Sequence, residues 1–171
     1  MGLDITAYKN LEPVKNPELD GGNDVVNWET EWLPGTSMKW SEKEFPGRGE
    51  GVDSDTVYRW KDSFDFRAGS YSGYNRWRRN LEEFSDSLNA SFILETPYKK
   101  HTFTELINFA DNEGVIGPVV ARRLYEDFKN NKDAAYRFSR KLDNGDIWIE
   151  LYEAWEKAFY YAMQDGAVQF R

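Results

Sequence analysis

The chain begins with alternating apolar and polar positions, Leu3-Asp4-Ile5-Thr6-Ala7-Tyr8. This period of two predicts a strand with Leu3, Ile5 and Ala7 turned inward. From Asn10 to about Gly51 no period holds. Pro, Gly, Asn and Glu dominate there, and only Val25–Trp32 has the β-branched and aromatic content of a strand. The stretch reads as a long, partly ordered excursion, and its Trp28, Trp32 and Trp40 cover a site, contact another subunit or pin the loop to the core. Thr56–Trp60 and Ser63–Ala68 read as strands or strand ends, with Phe64 and Phe66 alternating with Asp65 and Arg67.

From Tyr74 the spacing lengthens: Tyr74, Trp77, Leu81, Phe84 and Leu88 predict a helix with one core-facing stripe. Thr102 and Glu105 match a capping box and predict a short helix through Ala110, which Asp111–Gly114 breaks. Gly117-Pro118 restarts helix, since proline is favoured at the first helical position. Helix is expected from Val119 to about Leu142, interrupted at Asn130-Asn131 and stopped at Asn144-Gly145. A last helix carries Trp148, Leu151, Tyr152, Trp155, Ala158, Phe159 and Ala162 on one face, with Gly166 as its C′ residue. The tail Ala167–Arg171 then pairs as a strand beside the first. Strands at both ends with helices between describe an α+β fold: a single domain over 1–171, with a small mixed or antiparallel sheet packed against several helices.

At 171 residues one core is the default, and seven Trp and ten Tyr make it an aromatic one. The absence of cysteine removes disulfides, thiolate metal sites and cysteine nucleophiles. No apolar run approaches a membrane span and no leader pattern is visible, so the cytoplasm of whatever cell makes the chain is the expected location. A formal net charge of -8 argues against general nucleic-acid binding, which needs a broad cationic surface. Met1-Gly2 with Thr6 and Asn89-Ala90-Ser91 match lipidation and glycosylation patterns that are short enough to arise by chance.

Against this acidic background residues 66–81, FRAGSYSGYNRWRRNL, hold Arg67, Arg76, Arg78 and Arg79 with no acid among them. A strand ending near Ala68, a glycine and serine turn and a helix beginning at about Tyr74 make a setting for anion capture. Helix N-terminal amides and the macrodipole favour negative charge there. The expected ligand-binding residues are Arg67 and Arg78 for charge, Ser70, Ser72 and Gly73 for hydroxyl and backbone donors, and Tyr71 and Tyr74 for stacking. The competing reading has Ser72 as a helix cap, Tyr74 and Trp77 as core, and arginines paired with acids. Arg137, Arg140 and Lys141 show that acid-free basic islands also occur in ordinary helix here.

Glu105, Asp111 and Glu113 offer oxygen ligands or an acid and base pair. Glu105 is already accounted for by the capping box, and Asp-x-Glu-Gly is common turn chemistry. No metal or cofactor is therefore assigned, with Asp111 and Glu113 the weak candidates, and no catalytic residue is assigned. His101, the single histidine, stands beside Lys99-Lys100 and reads as an exposed connection.

The segments MGLDITAY, GSYSGYNRWR, DNEGVIGPVV and GAVQF resemble a family of small uncharacterised bacteriophage and prophage proteins. The resemblance leaves out the 10–51 excursion and implies no activity or catalytic residue. It does imply a context in which small viral proteins neutralise host defences. The expected function is non-enzymatic sequestration of a phosphorylated small molecule, a nucleotide immune signal being the case that context suggests. The alternatives are an acidic inhibitor of a host defence protein and, behind both, a metal-assisted hydrolase. A homodimer is expected from the aromatic excursion and from a tail strand at a sheet edge.

Overall fold

The computed structural model describes residues 2–89 and 102–171. His101, and Ala90 and Ser91 of the glycosylation match, lie outside them. Strand β1 (Gly2–Lys9) is followed by β2 (Glu12–Pro13), β3 (Glu31–Trp32), helix α1 (Gly35–Glu44) and β4 (Tyr58–Arg59). Strand β5 (Asp62–Ser70) runs straight into α2 (Tyr71–Asn89). The rest comprises α3 (Thr104–Ile107), β6 (Gly114–Ile116), α4 (Pro118–Asn130), α5 (Lys132–Ser139), α6 (Gly145–Ala162) and β7 (Ala167–Phe170). The fold is α+β, as its pattern of periods predicts.

A four-stranded antiparallel sheet has the order β5-β1-β7-β6, and a second, smaller sheet has the order β2-β4-β3. The tail does pair with the first strand, Ile5 lying opposite Phe170. It is not an edge, however, because β6 pairs with its other side. The tail therefore offers no open edge for self-association; the edges of this sheet are β6, beside the tail, and the nine-residue β5, on the far side of β1.

Alternation along the central strands gives the sheet two faces. On one, Leu3, Ile5, Ala68, Val168 and Phe170 meet the stripes of α2, α4 and α6 in the main core. Tyr74, Trp77, Leu81 and Phe84 are buried there, as are Trp148, Tyr152, Trp155, Ala158, Phe159 and Ala162. The two helices are locked by an exchange in which the Trp77 indole donates to the Trp148 carbonyl at 3.1 Å and Trp148 returns a bond at 3.3 Å. A buried indole N–H that finds an acceptor avoids the cost of desolvation, and here each residue's carbonyl supplies the other's.

On the opposite face Tyr8, Val115 and Ala167 pack with Trp32 and Met38, which come from the excursion. That segment is more regular than its composition suggests. It holds α1, which no apolar stripe announces, while the strand expected over Val25–Trp32 shrinks to Glu31–Trp32. Val25 makes only an isolated bridge to Leu19. Trp32 lies 4.7 Å from the Tyr8 ring and is buried, whereas Trp28 is 71% exposed. The three tryptophans of the excursion therefore do different work.

Two end-signals resolve differently from their sequence patterns. Phe103, with φ 63°, occupies the N-cap of α3, which is a single turn with no side-chain cap bond, so the capping box does not form. Beyond α6 the left-handed residue is Asp165 (φ 49°), not Gly166. Gly166 is required for another reason: a Cβ there would stand 1.9 Å from the Tyr8 carbonyl oxygen.

Candidate functional site

The arginine-rich stretch is a strand-to-helix junction with no turn between its parts. Ala68 is an extra residue opposite Leu3 and Asp4, and Gly69 has φ 123°, a conformation that glycine adopts without strain. Ser70 ends the strand and its Oγ accepts the Gly73 amide at 3.0 Å, the bond of a helix N-cap. The helix therefore starts three residues earlier than its glycine and serine content suggests, and Ser70, not Ser72, is the cap. Gly73 spends its amide on that bond. Ser72 lies in the first turn with its Oγ 3.2 Å from that of Ser70.

This phase decides where the expected residues go. Ser72 and Arg78 line one cleft of about 530 Å³, together with Asn75, Arg79, Glu82, Ile107 and Asn108. Arg67 is elsewhere. It lies on the face of β5 that alternates with the core-facing Phe66 and Ala68, where its Nη1 meets Asp4 at 3.1 Å. Tyr74 is fully buried in the main core, and burial raises its phenol well above the ordinary range, so its ring is not available for stacking on a ligand. Tyr71 is half-buried against the same core. The structure thus brings two of the seven expected residues to the cleft, Ser72 and Arg78, and uses Ser70 and Gly73 to start the helix that carries them.

Arg78 forms the fixed wall of the cleft. Its Nη2 donates to Asn75 Oδ1 at 2.6 Å, its Nη1 donates to the Phe109 carbonyl, and its guanidinium carbon lies 5.0 Å from the Tyr74 ring centre. Asn75 in turn donates through Nδ2 to Asp111 Oδ2 at 3.0 Å. Asp111, Asn75 and Arg78 are thereby one hydrogen-bonded chain tying α2 to the segment after α3. Arg79, one residue on, makes no hydrogen bond or ion pair among the described residues. It brings to the cleft a guanidinium whose donors are uncommitted among the described residues.

Asn75, Arg79, Glu82 and Asn108 are the site residues that sequence reasoning missed. Their signal was present, because Ser72, Asn75, Arg79 and Glu82 recur at three- and four-residue spacing and so form a polar stripe along one side of the helix. Arg76 falls on a neighbouring strip and lines a smaller cleft of about 150 Å³, with Trp77, Ile147, Trp148 and Leu151 among its walls.

The acidic candidates are dispersed. Glu105 is buried and accepts two bonds from Arg123, at 2.9 and 2.7 Å, which hold Arg123 above its ordinary pKa. Asp111 serves Asn75, and Glu113 is exposed. No group of three or more metal-ligating side chains stands together among the described residues. Among the described residues the α2–α3 cleft presents one free cation, one fixed cation, two side-chain amides, a hydroxyl and a carboxylate. Comparison of the chain with protein-family models, with curated proteins and with solved structures finds no match.

Proposed function

We propose that this chain is a non-enzymatic binding protein that holds a phosphorylated small molecule in the α2–α3 cleft. The observation that carries the reading is Arg79, uncommitted in a cleft whose second guanidinium, Arg78, is already fixed by three contacts. A forked, weakly hydrated cation beside a preorganised one suits a phosphate, and Ser72 adds a hydroxyl. The resemblance to phage proteins adds the context of host defence, in which capture without turnover removes a nucleotide signal. Calorimetry with inorganic phosphate, sugar phosphates and cyclic and linear nucleotides tests the reading. Binding that Arg79→Ala weakens by about tenfold or more, with the ligand recovered intact, is the expected result. No binding of any member at tens of micromolar overturns the proposal. Product formation would instead identify a hydrolase.

A second reading rests on a separate feature, the arm around residues 18–29. Asp20 Oδ1 accepts the Gly22 and Asp24 amides at 2.8 and 3.0 Å, and Val26 donates to the Glu18 carbonyl, so the arm is an ordered hairpin. It exposes Leu19, Val26 and Trp28 among Glu18, Asp20, Asp24 and Glu29. An exposed indole in an acidic surround suits a basic partner protein, as in an inhibitor of a host protein. A stoichiometric host partner lost with Trp28→Ala and retained with Arg79→Ala supports this second reading. Retention of the partner by Trp28→Ala removes it.

A further inference from the structure

The cleft also indicates what is attached to the phosphate. Among the described residues that line it only Ile107 is apolar, and none is aromatic. Tyr74 and Trp77 project from the opposite, buried side of α2, and Tyr71 packs on the core. A nucleobase in this cleft would forgo the stacking worth about 1–3 kcal/mol that base-reading sites use.

The polar groups divide into those already spent and those still open. Asn75 uses both ends of its amide, and Arg78 uses both terminal nitrogens, within the protein. Arg79, Glu82 and the Asn108 side chain make no hydrogen bond or ion pair among the described residues, and Ser72 Oγ meets only another hydroxyl. Arg79 and Glu82 are one turn apart on the same side of α2, yet they do not pair with each other. A bare phosphate would satisfy Arg79 and be repelled by Glu82. A neutral sugar would satisfy Glu82 and leave the guanidinium unmatched. A molecule with a phosphate at one end and hydroxyl donors at the other matches both.

Resting on the phosphate-binding reading, we infer that the ligand class is a phosphate ester of a polyhydroxylated ring, recognised by its phosphate and hydroxyls and not by a base. The phosphate lies toward Ser72 and Arg79, nearer the N-terminus of α2, and the ring hydroxyls donate to Glu82 and exchange bonds with Asn108. Ser72 to Glu82 spans about 15 Å at 1.5 Å per residue, ample for such a molecule. The chemistry is shared by free sugar phosphates and by the ribose phosphate of a nucleotide, and a base in the second case would extend into solvent.

Calorimetry on the intact chain with inorganic phosphate, ribose 5-phosphate, glucose 6-phosphate and adenosine monophosphate separates these cases. The better sugar phosphate should bind at least about tenfold tighter than inorganic phosphate, and the nucleotide should bind within about threefold of ribose 5-phosphate. Glu82→Gln, on an exposed helix face, should remove most of the sugar increment while inorganic phosphate binds as well or better. Sugar phosphates no tighter than phosphate, a nucleotide tenfold tighter than ribose 5-phosphate, or a sugar increment untouched by Glu82→Gln each overturn the inference and leave the phosphate site standing. Silence from every compound, phosphate included, overturns the underlying reading instead.

Discussion

Glu31 keeps only 3% of its side chain in contact with solvent, and its Oε1 meets Arg59, which is 59% exposed, at 2.7 Å across the β3–β4 pair. Its other oxygen, Oε2, is buried without a partner. The two ends of this bridge are therefore unequal. Arg59→Ala strands a buried carboxylate and should cost about 2–3 kcal/mol, whereas Glu31→Met fills the space without a charge and should cost less than half of that. Urea melts of the two variants decide the order. Ser70→Ala removes the Gly73 amide's acceptor and should cost about 1 kcal/mol, read in the same melts. At this scale the candidate site was half legible. Ser72 and Arg78 follow from a helix carrying its charge on one flank, but only closeness in sequence joins Arg67 to them. Strand alternation sends Arg67 to the face opposite Phe66, where Asp4 is waiting. Tyr74 fits the sequence pattern both as a stacking face and as core. The three- and four-residue stripe it shares with Trp77 and Leu81 favours core, and the structure buries it.

Elements with strong periods were legible and those defined by packing were not. Strand β1 buries the residues that its pattern selects and α6 all of its own but the half-buried Leu151, and α4 begins at Pro118 and gives way to α5 after Asn130, where the sequence breaks. Helix α1 buries only Met38 and Ser41, so it has no stripe to detect. The sheet face it covers creates the helix's role. Helix α2 starts early because a serine that looks like turn composition is a strand end and a cap at once. The junction of α6 with β7 offers a direct test of what its residues contribute. Gly166→Ala pushes a Cβ into the Tyr8 carbonyl and should destabilise by about 2 kcal/mol or more, because both atoms are held by the central sheet. Asp165→Gly relieves a left-handed residue at the cost of chain entropy and should stay within about 1 kcal/mol of the parent. Thermal unfolding of the pair would show the asymmetry.

For the molecule as a whole, the buried phenols of Tyr8, Tyr74 and Tyr152 set a limit on alkaline stability. Burial raises each above its ordinary value, so the folded chain keeps protons that the unfolded chain releases once the pH passes about 10. Stability should be fully present below that pH and fall as it rises further. Tyr152→Phe should flatten the fall measured by melts between pH 9 and 11, after losing about 1 kcal/mol throughout with its bond to the Phe128 carbonyl. The sheet order has a different consequence, for synthesis. Strand β1 is made before the other described elements and its neighbour β7 after them, with Ile5 opposite Phe170. At roughly 5–20 residues per second, β1 waits about ten to thirty seconds for that partner, paired only with β5 while Leu3, Ile5 and Ala7 have no complete core to enter. Until β7 is made, the sheet is therefore a half-sheet, and the pairing of β7 with β1 and β6 closes it.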